Sequence, residues 1–537
     1  MQQERKGAVH EARLLAPQGP RWTVAAVIAS VVLIVGPLVV PHLGDHSTTT
    51  RVMRDSPATA MDLVNGVANN SPLLIESPVD SRLVILINRI DFPAFSCFLQ
   101  ISGDSGLTWQ QVVPLDELPE GVEKCYGPQV AFDETGTLYF LFVGLAGNGN
   151  QPVGAYLTKS KDGVRTFEKP VQVLGPHNFG VQLGISQSRD KASRIHLVWL
   201  HAAEDPGLGG FPAGDNPILS SYSDDAGATF SSPVRVSNPS RSRSVAPILR
   251  IDEDGRLYVV YYDLEGDARD YLGIEGPAWE ETWSLVLATS DDQGRSFHET
   301  HVVADGLVPS ERVMLIFTMA SASIAVRRGQ LCVTWSDARS GDPDVFLRCA
   351  THNGAAWKPM VRVNRDRVGN GHRQYLPAVS LDAAPKRLDV VYFERSDPLG
   401  TYNQVILAWS SNGGKTFHAE PQLNHNVSNA TLGTRYGVVS AQGQVEFGNR
   451  LALLSRPDSA LVAWPDTRNT FANSSAQDIF VGGVAFRHHG LTLPAAAPVA
   501  SAGAGVLVLG WVALAAHRRR RRPSFDPLTS ATSAREE

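Results

Sequence analysis

The chain has 537 residues, 43% hydrophobic, 8% aromatic and 19% charged, which excludes a collagenous, low-complexity or wholly membrane-embedded protein. Its formal net charge is −6, but the two ends are basic, so the part between them carries −11. So acidic a body argues against nucleic acid or another polyanion as its main partner.

In chain order, residues 1–21 hold Arg5, Lys6, Arg13 and Arg21 and read as a cytoplasmic tail. Trp22–Val40 is an uncharged, largely apolar run long enough to cross a bilayer, which places an anchor at residues 22–43. A cleaved signal peptide is the alternative, although no clear Ala-x-Ala site follows. Residues 44–490 form the main domain, 491–516 a second uncharged run, and 517–537 a basic tail containing Arg518–Arg522. The positive-inside rule puts both tails in the cytoplasm and the domain outside, giving a two-pass protein of the cell membrane.

Within the domain an octet recurs. Ser102–Trp109 reads SGDSGLTW, Ser223–Phe230 SDDAGATF, Ser290–Phe297 SDDQGRSF and Ser410–Phe417 SSNGGKTF. Ser160–Phe167, SKDGVRTF, has its glycine one place early, and Ala350–Trp357 keeps only the glycine and the aromatic. The starts lie 58, 63, 67, 60 and 60 residues apart, the mark of a repeat architecture. Each octet fits a hairpin turn: an Asp to cap turn N–H groups, a glycine for positive φ, and a terminal aromatic to pack between sheets.

Upstream of each octet a β-rich strand ends in a large apolar residue: Ile87, Phe142, Trp199, Tyr261, Trp335, Tyr392 and, in the last unit, Trp464. A preceding strand opens near a proline in several units (Pro128, Pro247, Pro377), and a fourth leaves the octet, as at Pro233 or Pro359. Four-stranded antiparallel units of this size are propeller blades. The last unit lacks an outer strand, whereas Thr48–Arg54 resembles one. The fold expected is therefore all-β, a β-propeller of seven blades closed by the N-terminal segment, with six as the alternative and a transmembrane helix at each end.

All four cysteines fall in the exterior part, where disulfides form. Cys332 and Cys349 flank a hairpin whose register pairs Trp335 with Phe346, so a cross-strand disulfide is expected. Cys97 and Cys125 then pair by elimination, within one repeat. Four buried thiols are the alternative.

The octets resemble the Asp-boxes of sialidases and sialidase-like (BNR-repeat) propellers. Trp335-SDARSGDPDVFLR and Trp464-PDTRN…QDIF resemble the W-x-D-x-R…D-I-F blades of bacterial members. Phe447-GNRLAL resembles their FGDYxGL segment, with Asn449 and Arg450 in place of Asp-Tyr. The likeness covers residues of about 48–487. For a sialidase it implies three arginines on the substrate carboxylate, and a tyrosine nucleophile activated by a glutamate. The first arginine normally opens the first blade in an F/Y-R-I-P segment; here that place reads Asn69-Asn70-Ser71-Pro72, and Arg89-Ile90 follows the second strand instead.

The octets lie on one rim of a propeller, so a ligand site belongs to the loops of the other. There the sequence offers Arg241 and Arg243, Arg373 with Tyr375, and Arg435 with Tyr436, arginine being suited to a carboxylate by its planar fork. Arg243, Arg373, Tyr375 and Arg435 are the candidate ligand contacts; a hydrolase would use Arg243, Arg373 and Arg435 as clamp and Tyr436 with Glu446 as nucleophile and base. Asp337/Arg339 and Asp466/Arg468 recur at equivalent positions and read as structural ion pairs. Long segments after Trp199 and Tyr261 would overhang one sector of this face. No cofactor is indicated; Asp342-Pro-Asp344 and Glu265–Asp270 offer oxygen ligands to calcium, but without full ligand spacing. The expected function is binding of a glycan or protein ligand outside the cell, with an exo-sialidase and an envelope scaffold as alternatives.

Overall fold

The computed structural model describes residues 48–59, 67–115, 117–186, 193–202, 215–265, 282–308, 322–351, 353–381, 387–397, 399–420, 422–426, 428–433, 447–470 and 476–488. Both apolar runs expected as membrane anchors lie outside them. Among the described residues no helix is long and apolar enough to cross a membrane. Thr50–Phe486 form one compact unit.

That unit holds seven antiparallel sheets. Strand β1 (Thr48–Pro57) precedes the first blade, which is β2 (Ala68–Glu76), β3 (Val84–Phe92), β4 (Ser96–Ser102) and β5 (Gln110–Val112). Blade 2 is β6 (Lys124–Phe132), β7 (Leu138–Ala146), β8 (Gln151–Ser160) and β9 (Val171–Leu174). Blade 3 is β10 (Asn178–Ser186), β11 (Arg194–His201), β12 (Ile218–Ser223) and β13 (Val234–Arg235). Blade 4 is β14 (Ser244–Ile251), β15 (Leu257–Asp263), β16 (Trp283–Ser290) and β17 (His298–Leu307). Blade 5 is β18 (Ser323–Arg327), β19 (Gln330–Asp337), β20 (Asp344–Thr351) and β21 (Ala356–Trp357), with β22 (Val361–Arg362) also on β20. Blade 6 is β23 (Arg373–Leu381), β24 (Leu388–Arg395), β25 (Tyr402–Ser410) and β26 (His418–Glu420), with β27 (Ser428–Asn429) also on β25. Blade 7 is β28 (Ala452–Arg456), β29 (Ser459–Asp466) and β30 (Asp478–His488), and β1 pairs with β30 as its outer strand. The N-terminal strand thus closes a seven-bladed ring, as the missing outer strand of the last repeat implied.

First strands of neighbouring blades touch all the way round, from β2 on β6 to β28 on β2, so they line the centre. A cavity of about 370 Å³ runs between them, bounded by residues of all seven. Blade-to-blade packing supplies the core. One apolar cluster joins Leu74, Val84 and Leu86 of blade 1 to Ala463, Ile479 and Val481 of blade 7, and the octet tryptophan Trp109 packs on it. Phe230 sits likewise between blades 2 and 3. These octet aromatics pack between sheets, as their place in the repeat suggested.

The octet works as the residue types require. The Ser102 hydroxyl accepts from Gly106 N–H at 2.8 Å, while Asp104 accepts from Thr108 N–H at 2.9 Å and from the Thr108 hydroxyl at 2.6 Å. Two successive left-handed residues make the turn, and the second is glycine in five copies (Gly106, φ 97°) but Val164 (φ 71°) in the copy with the shifted glycine. A β-branched residue is strained there. Its side chain compensates by burial in the cluster between blades 1 and 2.

Two expectations are corrected. The first strands do not open at their prolines. They open earlier, at Lys124, Ser244 and Arg373, and a bulge at the proline interrupts the ladder. The residue before the bulge is left-handed in each case: Ser71, Gly127, Gly180, Ala246 and Leu376, four of them followed by proline. The bulge takes out of the ladder a residue with no N–H to give, so the strand continues past it. Second, Cys97 and Cys125 are bonded, but across blades, from β4 to β6. The bridge spans a sequence separation of 28 that crosses the blade boundary, because the sequence repeat and the sheet are out of phase. Cys332–Cys349 is the cross-strand bridge expected, with Trp335 opposite Phe346.

Candidate functional site

The face opposite the octets is built from the starts of the first strands and the ends of the second. Two residues beyond the large apolar residue of each second strand stand Arg89, Gly144, His201, Asp263, Asp337, Glu394 and Asp466. In a strand those residues share a face with the apolar one. In blades 5 and 7 this makes a brace. Asp337 pairs with Arg339 at 2.5 Å and accepts from the Trp335 indole at 3.4 Å. Asp466 pairs with Arg468 at 2.6 Å and accepts from the Trp464 indole at 2.9 Å. Both arginines lie over an aromatic ring, Phe346 or Phe480. These are the structural ion pairs that their recurrence suggested.

Other arginines of this face are likewise engaged. Arg241 bridges Asp263 at 2.6 Å and Glu299 at 2.9 Å, and Glu299 also takes the Tyr261 hydroxyl. Arg89 lies directly across the ladder from Asn70, where the first arginine of a sialidase clamp would be expected. It is buried, forms a fork with Asp91, and donates to the Tyr126 hydroxyl at 2.8 Å. Neighbouring Asn88 donates to Asn69 at 2.8 Å, so amides fill the space.

Of the residues singled out from sequence, Arg373 and Tyr375 lie on β23, not in a loop, and Arg243 immediately precedes β14. Arg243 is buried, and Asn216 forms a bridge to its backbone. Arg373 faces Arg395 in the register. Tyr375 is buried, donating to Asn403 at 2.6 Å and accepting from Arg395 at 2.6 Å. Arg435, Tyr436 and Glu446 lie outside the described residues. Of the calcium candidates, Asp344 pairs with Arg362 at 2.8 Å, and Asp342 accepts from the Gly371 N–H at 2.7 Å. The Glu265 carboxylate accepts from the Ser284 hydroxyl, and the rest of Glu265–Asp270 is outside the described residues. Among the described residues no group of three or more His, Cys, Asp or Glu side chains could hold a metal ion.

The residue that sequence reading passed over is Arg450. It sits at the mouth of the central cavity, and local backbone chemistry puts it there. Gly448 (φ 86°) packs so closely on β2 that a Cβ would lie 2.6 Å from Ser71 N, and Asn449 N–H bonds the Ser71 hydroxyl at 3.1 Å. Arg450 is then delivered over the bulges of β2 and β6. Its guanidinium donates to the carbonyls of Pro72 and Pro128, both at 3.2 Å, oxygens that the bulges have removed from the ladder. Among the described residues no carboxylate forms an ion pair with it. Burial first, then the guanidinium groups of Arg89 and Arg250, push its pKa down to about 10, so it stays a cation at neutral pH. The mouth above it is a pocket of about 60 Å³ lined also by Gln129, Gln182, Asn449 and Tyr126. That is room for a few water molecules, and so for a carboxylate or sulfate group but not a sugar ring. The signal in the sequence was the departure of Phe447-GNRLAL from FGDYxGL.

Ring closure, blade count and strand order define the chain as a seven-bladed β-propeller of four-stranded antiparallel blades. No protein-family profile matches the chain, and no curated protein matches it in sequence. Solved structures similar to it include a protein of unknown function from Dyadobacter fermentans, at 13% identity over 82% of this chain and 99% of that one, TM-score 0.45. A Hadza microbial sialidase is similar at 13% identity over 82% and 94%, TM-score 0.41. A polysaccharide lyase of family PL25, an ulvan lyase, is similar at 13% identity over 78% and 94%, TM-score 0.42.

Proposed function

We propose that this propeller binds an acidic glycan on the face opposite the octets, seating one anionic group of the ligand on Arg450 at the channel mouth. The observation that carries the reading is the single one of a guanidinium held by backbone carbonyls, at the floor of a polar pocket, with no carboxylate among the described residues to neutralise it. A fork of N–H donors in a partly desolvated site selects a carboxylate or sulfate. The amide and hydroxyl groups around it suit the hydroxyls of a saccharide, whose remaining units would spread over the surrounding loops. The reading is one of retention rather than turnover, by a domain displayed outside the membrane between the two apolar runs. Immobilised acidic and neutral saccharides probed with the wild-type protein and with Arg450→Met test it. Selective retention of the wild type on the acidic set supports it, and equal retention of the variant removes it.

A further inference from the structure

Arg450 shares the centre of the ring with other cations. The cavity between the first strands is lined also by Arg250 of β14 and Arg327 of β18, and its one carboxylate is Glu253, just after β14. Glu253 accepts from the Arg328 N–H at 3.0 Å, and among the described residues it forms no ion pair with any of the three guanidinium groups. The domain as a whole is acidic, yet its central channel holds an excess of positive charge.

Arg250 is the most accessible of these cations. It stands on an innermost strand with its side chain open to solvent, so the solvent it meets is the water of the channel. Its guanidinium donates to the neighbouring Leu249 carbonyl at 2.8 Å and, among the described residues, to no carboxylate. Backbone oxygen thus holds it, as backbone oxygen holds Arg450. After burial and Arg89, it is Arg250 that pushes the Arg450 pKa down, so the two charges feel one another. Arg89 is neutralised by Asp91, whereas Arg250 has no such partner. Leu73, Ile75, Leu183, Ile248 and Leu453 wall the same space, and apolar walls do little to screen like charges. The counter-charge that the chain omits is left to the solution.

The surroundings select the kind of anion. Gln129 and Gln182 line both the mouth pocket and the channel, and Arg450 belongs to both, so the two spaces meet there. The mouth is too small for a sugar ring, so a ligand that passes it is a free ion. Guanidinium forks match the oxygens of a tetrahedral oxyanion, and about 370 Å³ holds one such ion with several waters. We propose that the central channel binds one inorganic oxyanion, sulfate or phosphate, seated on Arg250 below Arg450. The site needs no saccharide and stands whether or not a glycan binds at the mouth.

The test is equilibrium dialysis of the purified full-length protein against radiolabelled sulfate and phosphate, without saccharide, in constant sodium chloride of about 0.1 M. At least one of the two ions should bind saturably, at about one per chain and at millimolar concentration or below. Arg250→Met should weaken that binding about tenfold or more. Arg250→Lys keeps the charge in the channel without the fork and should weaken it about threefold, which decides the matter if the methionine variant does not fold. Arg82→Met, at an exposed arginine paired with Asp80, should leave it unchanged. Absence of saturable binding of both ions would mean an adventitious ion only and would overturn the proposal. So would binding undiminished in Arg250→Met or in Arg250→Lys, or an equal loss in Arg82→Met, which would trace the effect to surface charge.

Discussion

Asp55 and Arg468, drawn from opposite ends of the propeller sequence, meet in an ion pair of 2.6 Å. Asp55 lies on β1, the strand that completes blade 7, and Arg468 follows β29 of the same blade. The Asp55 side chain is buried, and His425 reaches its other oxygen at 2.7 Å. The contact ties the closing strand to the blade it completes. A seven-bladed ring with this edge unpaired would expose β30 to other chains.

Asp55→Asn should therefore destabilise the domain by about 2–3 kcal/mol. That is less than the 3–5 kcal/mol of a wholly orphaned buried charge, because Arg468 keeps Asp466. Urea unfolding followed by tryptophan fluorescence measures it. A variant within about 0.5 kcal/mol of wild type would show that backbone pairing alone closes the ring.

The octet aspartates make acid stability a property of the turns. The Thr108 hydroxyl and N–H, with Ser102, hold the Asp104 carboxyl down to about 2, and Thr229 with Ser223 does the same for Asp225. A carboxyl with a depressed folded pKa binds fewer protons folded than unfolded, so its contribution is complete above the ordinary value near 3.8 and fades as pH falls toward 2. Asp104→Asn should keep the turn, because Asn412 makes the same one, accepting from Thr416 N–H at 3.0 Å, but should lower stability at pH 7 modestly by removing the ionised carboxylate's share. It should also flatten the loss of stability between pH 4 and 2. Thermal unfolding across that range decides; an unchanged acid limb would refute the assignment.

The two disulfides do different work. Cys332–Cys349 staples one hairpin, whereas Cys97–Cys125 joins blade 1 to blade 2. Loop-closure entropy assigns each roughly 3–4 kcal/mol. Replacing Cys97 and Cys125 by alanine should also raise proteolytic cleavage between β4 and β6, while replacing Cys332 and Cys349 should not. Limited proteolysis with mass mapping distinguishes them, and identical cleavage patterns would contradict the cross-blade role.

Arg450 carries an opposite signature of function. An unneutralised cation in the channel costs stability without ligand, so Arg450→Met should raise the ligand-free melting temperature by about 1–2 °C. A fall of the same size would mean that the guanidinium serves the fold, through the Pro72 and Pro128 carbonyls, and not a ligand.

Architecture was legible because it is written in repetition. Six octets and seven large strand-ending residues set the blade number, and the lone outer strand at Thr48 revealed the closure. The Asp337/Arg339 and Asp466/Arg468 braces were legible for the same reason. What repetition hides is departure. A proline reads as a strand start, and only the ladder shows that the strand passes through it by a bulge. The placement of Arg450 depends on carbonyls that those bulges release, and no local pattern announces that. Arg373 and Tyr375 looked available because tyrosine beside arginine suggests a site, yet Tyr375 spends its hydroxyl on Asn403 and Arg395.

The most direct test of acidic-glycan binding is isothermal titration of the purified protein with two singly charged saccharides, 3′-sialyllactose and methyl galacturonoside, beside lactose as the neutral control. At least one acidic saccharide should bind and lactose should not. The affinity should fall as salt rises, and Arg450→Met should weaken it about tenfold or more, roughly 1.4 kcal/mol. No binding of either acidic saccharide, or binding that survives Arg450→Met unchanged, would contradict the role assigned to the channel mouth.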